Sequence, residues 1–67
     1  MTTSEALRLG FRIIAEPCPN GYSVTVEAVT LAAHSILGEP AITLVSARPT
    51  EAMEWAMAAL ERKARAA

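Results

Sequence analysis

The segment that decides the fold is RPTEAMEWAMAALERKAR, residues 48–65. Its apolar side chains recur at intervals of three and four residues, which is typical of a helix with one buried face. Its Ala, Met, Leu, Glu and Lys favour helix, and Pro49 suits the first helical position. The pattern therefore predicts a helix that covers one face of a sheet. Its inward stripe would consist of Met53, Ala56, Met57, Leu60 and Ala64.

Trp55 is the only tryptophan and falls at the edge of the apolar stripe, beside Glu51 and Arg62. It either folds back over the sheet as part of the core or anchors a partner. We favour the core, because a chain with one Trp, one Tyr and one Phe tends to bury its aromatic residues.

Three segments before this helix read as β-strands. Residues 7–15 and 22–28 alternate between apolar and polar side chains, and residues 41–47 form a short apolar run. The sequence EPCPNG at residues 16–21 predicts a tight turn, with Asn-Gly supplying positive φ angles, so the first two strands should form an antiparallel hairpin. Their inner faces would carry Leu7, Leu9, Phe11, Ile13 and Ala15, then Tyr22, Val24, Val26 and Ala28.

The third strand is apolar on both faces, with Ile42 and Leu44 on one side and Thr43 and Val45 on the other. Such a strand lies at the centre of a sheet or pairs with a second copy of itself. The polar residues 1–5 are expected to form an unstructured lead, although a helix starting near Ser4 is an alternative.

Residues 29–37 allow two interpretations. We favour a continued strand to about residue 32, followed by a loop or a single helical turn. The alternative is a helix, because the apolar spacing is also helical and Gly38 followed by Pro40 would stop it. With either choice we predict one small α+β domain over residues 1–67: a three-stranded antiparallel sheet in β-β-β-α order, with one C-terminal amphipathic helix packed on one face.

The length of 67 residues permits only a small core, and domains of this size are commonly stabilised by disulfides, a metal or oligomerisation. One Cys and one His are too few for an internal disulfide or a structural zinc site. We therefore expect a homodimer, and no metal or cofactor.

The formal net charge of −1 gives no general attraction to nucleic acid or to an anionic membrane. The sequence has no apolar run of membrane-spanning length and no signal-peptide pattern. We expect a cytoplasmic protein that does not contact membranes.

No group of residues resembles a catalytic site. Cys18 has no cation or histidine near it in sequence to activate the thiol, and His34 has no nucleophile or orienting partner beside it. The glutamates are scattered and the three glycines lie far apart, so neither an acid–base pair nor a phosphate loop is indicated. We predict that the protein is not an enzyme.

A nucleic-acid-binding surface is the alternative from another functional class. Arg8 and Arg12 would share the outer face of the first strand, near Tyr22, and basic and aromatic residues on a sheet can bind RNA. A solvated sheet face is the simpler interpretation of the two arginines, so we do not expect nucleic acid as a partner.

Two segments, Gly21-Tyr22-Ser23-Val24 and TEAMEWAMAALE at residues 50–61, give the chain a resemblance to the HicB-like antitoxin domain over residues 11–61. The resemblance implies a non-catalytic domain that binds a partner protein, such as a toxin ribonuclease, and that often self-associates. The Pro-x-Leu-Pro-Gly stretch usual after the second strand of that family is missing, and Arg48 stands near the place where a Thr normally caps the helix.

Together these observations predict a protein–protein interaction module, antitoxin-like or inhibitor-like, that acts as a homodimer or on another protein. The interface would lie at the sheet edge or on the rim of the last helix. The residues expected there are Trp55, Glu51, Arg62, Thr43 and Val45.

Overall fold

A computed structural model describes residues 1–66. Three strands form one antiparallel sheet in the order β1-β2-β3, so β2 is the central strand. The elements in chain order are α1 (Thr3–Leu9), β1 (Phe11–Cys18), β2 (Gly21–Ala28), α2 (Leu31–Leu37), β3 (Ala41–Ser46) and α3 (Pro49–Ala66).

The core lies between the sheet and the three helices, which pack against one face of it. Val24 and Val26 project from β2 into this core, where they meet Ala56 and Leu60 of α3. The opposite sheet face has no helix over it among the described residues, and it carries Arg12, Thr25, Glu27, Thr43 and Val45. The chain is therefore a two-layer α+β structure, as predicted.

The predicted C-terminal helix is confirmed as α3, which buries Ala52, Ala56, Met57 and Leu60. Glu61 and Arg65 form the ion pair expected one turn apart, with the carboxylate oxygen 3.5 Å from the Arg65 Nε. The hairpin is also confirmed, although its turn is narrower than predicted. Only Pro19 and Asn20 lie outside the strands, and of the Asn-Gly pair only Gly21 has a positive φ.

The prediction of an unstructured lead and a strand from residue 7 is wrong, because Thr3–Leu9 is a helix. The Thr2 side chain accepts a hydrogen bond from the Glu5 N–H, and the Glu5 carboxylate accepts one from the Thr2 N–H, which forms a capping box. Gly10, at φ 103°, ends the helix. Leu7 and Leu9 consequently lie outside the sheet and are exposed.

The favoured interpretation of residues 29–37 is also wrong, and the helical alternative is the correct one. Thr30 caps α2 by accepting a hydrogen bond from the Ala33 N–H at 3.1 Å. Gly38, at φ 74°, closes its C-terminal end. Ala33 and Leu37 then face the core. No helix among the described residues is long and apolar enough to span a membrane.

Candidate interaction surface

Strand β3 lies at an edge of the sheet, with β2 on one side and, within residues 1–66, no strand paired to the other. Of the two alternatives for this strand, the central position is therefore wrong, and pairing with a second copy of itself stays a prediction. Its six residues, AITLVS, include no charge and no proline. Natural edge strands commonly carry charges, prolines or bulges that prevent pairing with other chains. β3 has none of these protections, which leaves its free edge open to strand addition.

A hydrogen-bonded junction fixes α3 against the end of β3. The Ser46 hydroxyl is buried and donates to a Glu51 carboxylate oxygen at 3.0 Å. The same hydroxyl oxygen accepts a bond from the Arg48 N–H at 3.2 Å. Since Glu51 is in the first turn of α3, this junction holds the start of the helix against the end of β3.

Trp55 lies one helical turn after Glu51 and on the same flank. Its side chain is 46% exposed and does not belong to the buried core cluster. The core interpretation of Trp55 is therefore wrong. A half-exposed Trp has the amphipathic character that anchors protein interfaces.

The opposite flank of α3 is occupied within the chain. Met53, Glu54 and Met57 line an open groove together with Met1 and Thr2 at the start of α1. This flank of α3 therefore lies beside the start of α1.

The five residues predicted for the interface lie on two elements, α3 and β3. Glu51, Trp55 and Arg62 follow one stripe of α3 at spacings of four and seven residues. Thr43 and Val45 lie on β3, both exposed on the uncovered sheet face. Thr43 forms a hydroxyl–hydroxyl bond to Thr25 of β2 at 3.0 Å. The two alternative sites named from the sequence stay separate and untested, because Thr43 and Val45 lie on the sheet face opposite the one that α3 covers.

The electrostatics of this surface are mild. Glu51 is engaged by Ser46, and no ion pair among the described residues involves Arg62. β3 itself is uncharged. Strand addition along β3 would therefore bury no charged side chain of β3 itself.

The reactive residues are not brought together. Cys18 ends β1 at the hairpin, as a half-buried free thiol. His34 is an exposed residue in the last turn of α2, and its side chain has no hydrogen bond or ion pair among the described residues. Glu27 and Glu39 bind Arg12 at 2.8 Å and Lys63 at 3.4 Å instead. Within residues 1–66, no three His, Cys, Asp or Glu side chains cluster as metal ligands do.

The predicted arginine face does not exist. Arg8 belongs to α1, where its guanidinium donates to the Ser4 carbonyl at 3.4 Å. Arg12 lies on the uncovered face of β1 and is paired with Glu27 directly opposite. Tyr22, placed with the core by the strand pattern, is 40% exposed at the hairpin end. The residues do not combine into a basic, aromatic platform.

Sequence reasoning missed four exposed aliphatic side chains near the end of α1 and the start of α2. Two hydrogen bonds join the segments that carry them, from the Val29 N–H to the Gly10 carbonyl at 2.8 Å and from the Thr30 hydroxyl to the Leu9 carbonyl at 3.1 Å. The capping box at Thr2 and the cap at Thr30 are the signals that could have placed these two segments. The exposed side chains are Leu7, Leu9, Val29 and Leu31.

Comparisons with protein-family models, with curated proteins and with solved structures found no match to this chain.

Proposed function

We propose that this chain is a non-catalytic protein–protein interaction module that acts as a homodimer. The observation that supports the proposal most strongly is the uncharged edge of β3, which no other strand pairs among the described residues. The 46% exposure of Trp55 on α3 adds a second candidate contact. Exposed backbone donors and acceptors provide directional binding, and an aromatic anchor provides buried area.

The size of the domain supports the same proposal. A chain of 67 residues buries a smaller fraction of its surface than larger domains do, so dimerisation would add to its stability. Biologically, an antitoxin-like or inhibitor-like role in which the dimer presents a surface to a second protein agrees with the resemblance to HicB-like domains.

The test is Trp55→Ala, with Glu54→Ala as the matched control on the α1-facing flank of the same helix. Sedimentation velocity would report the association state, and far-UV circular dichroism the fold. We expect Trp55→Ala to weaken association while the chain stays folded, and Glu54→Ala to leave association unchanged. Unfolding of Trp55→Ala would show that the side chain is structural, and unchanged association would remove Trp55 from the interface.

A further inference from the structure

Backbone hydrogen bonds alternate along an antiparallel ladder, and this alternation (the phase of the ladder) identifies which backbone N–H and C=O groups of β3 are free. The Ala28 N–H donates to the Pro40 carbonyl at 3.1 Å, so the ladder bonds between β2 and β3 start with this pair. In an antiparallel ladder, bonded and non-bonded pairs alternate. With the register of Val26 opposite Ile42 and Val24 opposite Leu44, those two β3 residues bond to β2.

The amides of Ala41, Thr43 and Val45 then point away from β2, toward the free edge. The other junction of the sheet agrees, because the Val29 N–H bonds to the Gly10 carbonyl on the β1 side. Successive residues of the central strand β2 thus alternate between their two neighbours, as a regular sheet requires.

From this phase we infer the geometry of the dimer: two copies of β3 pair antiparallel, with Thr43 beside its own copy on the twofold axis. This inference rests on the proposed function and specifies its partner and register. Within Ala41–Ser46, this register places all three outward residues in bonded pairs, with Thr43 opposite Thr43 and Ala41 opposite Val45. Each bonded pair exchanges two hydrogen bonds.

The side chains fit the same register. On the helix-covered face, Ile42 of one copy would lie opposite Leu44 of the other, and both side chains are only partly buried in the single chain. On the uncovered face, Thr43 would meet Thr43 at the axis. The pairs are apolar with apolar and hydroxyl with hydroxyl, which are favourable cross-strand combinations.

The β3 edge of a second copy is a better partner for this edge than the β1 edge of a second copy. β1 carries Pro17, which has no N–H, and the charged Arg12 and Glu16. Pairing β3 with β1 of another copy would be a head-to-tail contact, which adds chain after chain unless its rotation closes a ring. Pairing β3 with β3 closes the assembly at two chains, as one continuous sheet with α3 of both copies on the same face.

Cysteine cross-linking tests the register, in a Cys18→Ser background that removes the only native thiol. Across the axis, Thr43→Cys would face its own copy at a Cα separation of about 5.5 Å, which lies within disulfide range. Val45→Cys would lie about 13 Å from its own copy, since four residues separate the two along the strand. We expect most of the Thr43→Cys chains to become covalent dimers in a glutathione redox buffer, and Val45→Cys to stay uncrosslinked.

Amide hydrogen exchange on the unmodified chain provides a second readout. The Ala41, Thr43 and Val45 amides should be protected in the dimer and should lose that protection on dilution to monomer. Cross-linking of Val45→Cys, or a dimer in which Thr43→Cys does not cross-link and these amides exchange freely, would overturn the register while leaving the proposed module intact. A chain that is monomeric at every concentration would refute both the register and the homodimer.

Discussion

Gly10 has two separate reasons to be glycine. Its φ of 103° lies in the left-handed region, and a Cβ there would overlap the Thr30 side chain. Gly38 has only the first reason, since its φ is 74° but a Cβ added at this position would meet no atom within 4 Å. The two glycines therefore separate the effect of backbone conformation from that of crowding.

We predict that Gly10→Ala destabilises the chain more than Gly38→Ala. The left-handed conformation costs a residue with a Cβ about 1–2 kcal/mol, and Gly38→Ala should lose only this amount. Gly10→Ala adds the collision with Thr30, whose hydroxyl caps α2. Urea unfolding of both variants measures the difference, and equal losses would contradict the crowding at Gly10.

A second residue-scale prediction concerns acid. The Thr2 N–H donates to the Glu5 carboxylate and lowers the pKa of Glu5 below its ordinary value of 4.5. A lowered folded-state pKa stabilises the fold above the unfolded-state value, and this contribution is lost as the pH falls through the folded-state pKa. Glu5→Gln keeps a capping side chain without the titrating group.

The unfolding free energies of the wild type and Glu5→Gln should therefore differ at neutral pH and converge as the pH falls below 4.5. Urea titrations at a series of pH values would measure this convergence. A difference that stays constant down to strong acid would show that the Glu5 carboxylate has no role in capping α1.

At the scale of the element, α2 depends on Thr30. Its hydroxyl oxygen accepts a bond from the Ala33 N–H and its hydroxyl donates to the Leu9 carbonyl, both at 3.1 Å. Loss of a threonine cap costs about 0.5–2 kcal/mol, and Thr30→Ala also removes the bond to the end of α1. We expect a loss at the upper end of that range by urea unfolding. Thr3→Ala, at an exposed position in α1, is the control and should change stability little.

The two short helices also explain what the sequence predicted and what it did not. The helical spacing of apolar residues in α3 extends over 18 residues, and a pattern that long rarely matches strand spacing by chance. The position of α3 was therefore predicted to within about one residue. α1 and α2 have seven residues each, and a segment that short matches a strand pattern and a helix pattern equally well. Leu7 and Leu9 continued the apolar–polar alternation of β1 by coincidence. The caps at Thr2 and Thr30 are what make these two segments helices.

The candidate residues could be named from the sequence, but the place of β3 in the sheet could not. Val45 was placed in an apolar strand and Trp55 at the edge of an apolar stripe, whereas the free edge of β3 depends on the strand order. β3 became an edge strand because α2 returns the chain beside β2, a consequence of tertiary packing that no local pattern contains.

For the whole molecule, the phase of the ladder predicts opposite outcomes for proline substitutions at two neighbouring positions of β3. Val45→Pro removes an N–H that points toward the free edge, so it should abolish association while the single chain stays folded. Leu44→Pro removes an N–H that bonds to β2 and should unfold the chain. Light scattering and circular dichroism distinguish the two effects. Unfolding by Val45→Pro together with tolerance of Leu44→Pro would reverse the assigned phase.

Self-association through β3 is tested most directly by size-exclusion chromatography with light scattering on the reduced wild-type protein. The protein is run over a range of concentrations, and absorbance is read at 260 and 280 nm. We predict a mass twice that of the 7.1 kDa chain at all but the lowest concentrations, without the excess 260 nm absorbance of bound nucleic acid. A mass of one chain at every concentration would contradict self-association through β3, and co-eluting nucleic acid would contradict the proposed class of partner.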